Sequence, residues 1–218
     1  MPNWCSNFAR IHHSNPAMID KILKGNADPD GGILNELMPC PAELTDTMAG
    51  SYGKGQEEKQ QALEAQEKSN IEKYGYKNWY DWQVANWGTK WDLCDVSLNQ
   101  LDDNTVELHF ETAWSPPIAA FENLVTNLGF DIDAMYYESG MVFAGKWSSD
   151  GTDEYYNDWG DSHGARATLP TDLDDMFTIS ESQAEYEEEE REEEELYKWV
   201  KDGKQAQGKK HDNDFTEA

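Results

Sequence analysis

Apolar and polar residues alternate at Phe8-Ala9-Arg10-Ile11-His12, the period of a half-buried strand. Ser14-Asn15-Pro16 then supplies a cap and a proline for a first helical turn, with Met18, Ile19, Ile22 and Leu23 on one face and Gly25 as the expected stop. Period two returns at Cys94, Val96 and Leu98 and again at Val106, Leu108 and Phe110, on either side of Asp102-Asp103-Asn104. Two such runs around a polar turn predict an antiparallel hairpin with one buried face. Ser115-Pro116-Pro117 repeats the cap-plus-proline pattern, and Ile118, Phe121, Leu124, Val125 and Leu128 form a second stripe that stops at Gly129. Further strands are expected at 132–137 and 141–147. Strand, helix, hairpin, helix, strand is a split β-α-β order. The predicted fold is therefore α+β, a ferredoxin-like antiparallel sheet with two helices on one face.

Between the first helix and the hairpin the pattern breaks. Residues 28–55 are rich in Gly, Pro and Asp around one short packed turn at Ile33 to Leu37, and 57–74 predict a mostly solvated helix ended by Gly75. Trp79, Trp82, Trp87 and Trp91 then crowd thirteen residues, a density a solvated loop rarely tolerates. The expected organisation is a domain over 1–158 with a Trp-rich helical insertion at about 28–91, an acidic segment over 159–202 that is helical at 181–201, and a disordered 203–218.

Charge changes the picture most. Asp plus Glu number 44 against 17 Lys plus Arg, a net charge of −27. Direct nucleic-acid binding, which needs clustered cations, is not expected; a basic protein surface is the better partner. Solubility alone also accounts for much of such a charge. Glu187, Glu188, Glu189, Glu190, Glu192, Glu193, Glu194 and Glu195 are interrupted only by Arg191. In a helix rising about 1.5 Å per residue they carry roughly one net charge per 2 Å, close to the roughly 1.7 Å of duplex DNA. Leu173, Met176, Phe177 and Ile179 before this run, and Leu196, Tyr197, Trp199 and Val200 after it, are expected to pin both ends. Without such anchoring the run is a solvated tail.

MPNWCSN at 1–7, NWGTKWD at 86–92, TAWSPP at 112–117 and YYESGMVFAG at 136–145 together resemble the YubB-like ferredoxin-like-domain family of plasmid and phage proteins. The resemblance covers roughly 1–158 and leaves the acidic tail outside. It implies a mobile-element protein with a role against host defences, and it carries no catalytic residues.

Catalytic chemistry is not announced by any spacing. Cys5, Cys40 and Cys94 form no C-x-x-C pair, so neither disulfides nor zinc is indicated. His12, His13, His109, His163 and the loop Asp150-Gly151-Thr152-Asp153-Glu154 lack metal-site spacing, and Gly50 to Gly55 fails the phosphate-loop pattern. Glu107, His109 and Glu111 share the outer face of one strand, an acid-base set only if a pocket lies there. No membrane span or secretory leader is recognised, which makes the cytoplasm of a host cell the expected location. The function expected is thus a non-catalytic, acidic binder, able to mimic DNA, of a host protein that handles nucleic acid or acts in defence, with no metal and no cofactor. One alternative is a small-molecule or nucleotide binder using an aromatic pocket of Trp79, Trp82, Trp87, Trp91 and Trp114. The other is an interaction module with a solvated tail. Partner and oligomeric state are left open by the sequence.

Overall fold

A computed structural model describes residues 3–29 and 31–213, with side chains described as far as Lys201. The chain forms two compact units, Met1–Asp158 and Trp159–Ala218.

In the first unit β1 (Trp4–His12) leads into α1 (Pro16–Ala27), where the Asn15 side chain accepts from the Ala17 amide at 3.1 Å. Gly25 does not stop α1: it is buried, and a Cβ there would lie 2.8 Å from the Gly32 carbonyl oxygen. Its missing side chain lets α2 (Ile33–Leu37) pack against α1. After α3 (Ala42–Thr45), α4 (Glu57–Tyr74) turns off at Gly75, whose φ is 82°. Although α4 is largely solvated, its Asn70 is buried and donates to Thr47 Oγ1 at 2.9 Å and to the Lys77 carbonyl at 2.7 Å, which ties the helix at both flanks. α5 (Trp79–Trp87) is capped by Asn78, which accepts from the Tyr80 and Asp81 amides.

The hairpin is β2 (Cys94–Asp102) and β3 (Thr105–Ala113), followed by α6 (Ile118–Leu128), β4 (Asp131–Glu138), β5 (Phe143–Ser148) and β6 (Asp153–Asn157). All neighbours are antiparallel in the order β2-β3-β1-β4-β5-β6. The first four are the ferredoxin-like sheet; β5 and β6 extend it. β2, at one edge, slips register twice, between Cys94 and Ser97 and between Gln100 and Asp102. Ser115 is not the cap of α6: Pro117 holds that place, and the Ser115 hydroxyl donates to the Gly88 carbonyl instead. Ala9, Ile11, Val106, Leu108, Phe110, Ile132 and Ala134 meet Ile19, Ile22, Phe121 and Leu124 of the two helices in one core. Each Val, Ile, Leu or Phe among them contributes about 1.5–3 kcal/mol on burial, the alanines less. A second, smaller core joins Leu34, Trp87 and Ala120.

In the second unit α7 (Ser162–Thr168), capped by Asp161, and α8 (Thr171–Phe177) precede α9 (Ile179–Asn213). Thr178 turns the chain with φ 49°, and Asp174 accepts from the Ser180 amide and hydroxyl, both at 2.7 Å. The helix runs beyond 202 to Asn213, so 203–213 are helical, where disorder was expected; the expectation of disorder at 214–218 lies outside the described residues.

Candidate functional site

The acidic run lies on α9, where all eight glutamates but Glu187 are exposed. Glu187 is half-buried because it accepts from the Ser162 amide and hydroxyl, each at 2.7 Å, stapling α9 to the start of α7. Glu188 pairs with Arg191 and Glu194 with Lys198, while Glu190 accepts from the Tyr186 hydroxyl and so raises that phenol's pKa. Glu189, Glu192, Glu193 and Glu195 have no hydrogen-bond or ion-pair partner among the described residues.

Among the described residues α9 is anchored at its start alone. Leu173 and Ile179 are fully buried and Met176 and Phe177 half-buried, but Leu196, Tyr197 and Trp199 are 61%, 69% and 73% exposed and Val200 37%. The expected second anchor therefore does not form. At about 1.5 Å per residue, Trp199 stands about 18 Å along the axis from the staple at Glu187. Leu196, Trp199 and Val200, spaced i, i+3 and i+4, share one helix face.

The five tryptophans divide. Trp87 is buried, its indole donates to the Met38 carbonyl at 3.2 Å, and Trp82 meets it edge-on at 5.7 Å. These two belong to the small core and not to a pocket. Trp79, Trp91 and Trp114 do line a cleft of about 730 Å³ in the first unit, together with Glu67, Lys77, Asp81 and Lys90. The Lys90 ammonium lies 4.4 Å from the Trp91 ring centre and 5.6 Å from that of Trp114. Trp4 stands beside Trp91, with ring centres 6.1 Å apart. Lys90 and Trp4 were not legible as site residues. The signal for Trp4 was the β1–β3 register, which pairs it with Ala113 and so sets it next to Trp114.

Trp114 has φ 72°, in the left-handed region, and its amide donates to the Asn3 carbonyl at 2.9 Å. Asp92, just beyond Trp91, accepts from the amides of Leu34, Asn35 and Leu93 at 3.0, 2.7 and 2.8 Å. It thereby fixes the stretch leaving the cleft to the start of α2. Burial raises its pKa above the ordinary value more than these amides lower it.

Glu107, Glu111, His109 and Asp150 have structural partners. Glu107 accepts twice from Arg10, whose guanidinium holds the carboxyl below the usual range; Glu111 accepts from Ser6; His109 packs on Phe8 at 5.0 Å. Asp150 closes the β5–β6 turn by accepting from Ser148 and Thr152, which lowers its pKa. Burial raises the pKa of all three free thiols, opposite to the shift that activates a nucleophile. Among the described residues no group of three or more His, Cys, Asp or Glu is arranged to hold a metal, and no helix is long and apolar enough to cross a membrane.

A family model described as "Ferredoxin-like domain in Api92-like protein" matches residues 86–201, just over half the chain. The match takes in β2 to β6, α6 to α8 and the acidic run. The crystal structure of protein api92 from Yersinia pseudotuberculosis is similar at 10% identity and a TM-score of 0.40, over 72% of this chain and 98% of that one. No curated protein matches the chain by sequence.

Proposed function

The chain belongs to the family of ferredoxin-like domains in Api92-like proteins, and on that scaffold we propose a non-catalytic binding protein that engages a basic surface of another protein through α9. The observation that carries the reading is the conjunction on one helix of exposed glutamates, four of them unpaired among the described residues, and an exposed apolar patch of Leu196, Trp199 and Val200 midway along it. Clustered large apolar side chains in water mark interaction surfaces. The charge steers the encounter and the apolar patch gives it a lasting contact. The charge spacing supports imitation of a phosphate backbone, and hence a partner that handles nucleic acid. The resemblance of the strings at 1–7, 86–92, 112–117 and 136–145 to YubB-like proteins supports an accessory role on a plasmid or phage, against a host defence protein in the host cytoplasm.

The test is capture of partners by the immobilised chain, followed by competition with duplex DNA and with salt. Two variants accompany it: Gln for Glu at 188, 189, 190, 192, 193 and 195, which leaves the Glu187 staple intact, and Ser for Leu196, Trp199 and Val200. Duplex DNA and added salt are expected to release the same protein from the wild type, and both variants to fail to retain it. An identical captured set for all three proteins would refute the reading.

A further inference from the structure

We propose that the tryptophan cleft of the first unit is a binding site for an organic cation, an alkylated ammonium or a guanidinium group. This cation seats against Trp91 and Trp114 in the place that Lys90 now fills. The inference is independent of α9.

The cleft, at about 730 Å³, is in the size range of small-ligand sites. Its aromatic walls are not explained by folding: Trp91 and Trp114 remain 37% and 44% exposed, and Trp4, packed beside Trp91, 39%. Trp114 in addition holds an L side chain at φ 72°, a costly backbone state that persists where function uses it. Neither feature improves the core.

What the indoles attract is visible in the structure. The Lys90 ammonium lies within reach of two ring faces, the geometry in which the negative face of an indole holds a cation. Lys90 has no carboxylate partner among the described residues, and Glu67 and Asp81 on the cleft wall have no cationic partner there. The two carboxylates are therefore available to an incoming cation, and the net charge of −27 favours cations over anions at the surface. A guanidinium or quaternary ammonium sheds water more readily than the primary ammonium of lysine, so it displaces Lys90 at a net gain.

Calorimetric titration of the full chain with choline, with a peptide bearing arginine or trimethyl-lysine, and with adenosine monophosphate tests this. Choline or the peptide is expected to bind, and which of the two does so identifies a free ligand or a side chain as the source. Lys90→Ala removes the internal competitor and is expected to tighten binding several-fold. Glu67→Gln with Asp81→Asn is expected to weaken it several-fold, and Trp114→Gly to abolish it. Absence of cation binding in both wild type and Lys90→Ala would overturn the proposal. So would nucleotide binding that Lys90→Ala destroys, since that outcome assigns the cleft to a planar anion.

Discussion

Removing the Asp92 carboxylate tests how the cleft is held. Asp92→Ala leaves three amides without their acceptor, of which that of Leu34 belongs to a residue only 2% exposed. Loss of a helix cap costs about 1 kcal/mol, and an orphaned shielded amide costs a further 1–3 kcal/mol or so. Against this, the charge itself is desolvated, as its raised pKa records, and its removal returns part of the cost. The expected net loss is about 2 kcal/mol for Ala and about 1 kcal/mol for Asn, which keeps one acceptor. The pH dependence is sharper than the magnitude. The folded-state pKa lies above the ordinary 3.8, so the folded protein binds this proton more readily than the unfolded chain. Its stabilising share is present below 3.8 and lost as pH rises through the folded value. Urea unfolding followed by circular dichroism between about pH 4 and about pH 8 measures it. The advantage of wild type over Asp92→Asn must shrink as pH rises. An advantage that grows with pH would refute the account of the site.

Trp114→Gly is expected to be more stable than Trp114→Ala by about 1 kcal/mol, since a Cβ at φ 72° is penalised and glycine is not; paired denaturation curves decide it, and equal or reversed stabilities would remove the strain argument. Gly145→Ala places a Cβ 2.2 Å from the Tyr136 hydroxyl oxygen and 2.4 Å from the Glu154 carbonyl oxygen, an overpacking expected to cost about 1–3 kcal/mol, read as a lowered urea midpoint. Cys5, fully buried with its thiol pKa raised, is expected to resist alkylation until the first unit unfolds, as mass spectrometry of labelled protein would show.

The sheet was legible because β1, β2, β3 and β4 each turn one face inward and write a period of two, and α6 because its stripe ends at a glycine in the left-handed region. β6 was not. Its sequence DEYYN, at a sheet edge, has little burial to imprint a pattern. Gly25 misled because a glycine needed for helix–helix approach looks the same in sequence as a glycine that ends a helix. The tryptophan count announced aromatic density but not its division, since burial of Trp87 and exposure of Trp114 depend on contacts far apart in the chain. The seat of Lys90 is invisible in one dimension: it needs Trp91 from one loop and Trp114 from another. The apolar patch midway along α9 was seen as residues but assigned the opposite role, because pattern shows which side chains share a face and not whether anything lies across from them.

The two register slips in β2 bear on self-assembly. A flat, regular border would offer its open amides and carbonyls to the corresponding border of another copy, the route by which sheets grow into fibres. Here Asp95, with φ 48° inside the first slip, breaks that border, and the opposite margin is a five-residue strand bearing Asp153 and Glu154. An incoming strand would lose registry within a few residues on one side and meet repelling carboxylates on the other, so crowding alone should not zip these molecules together.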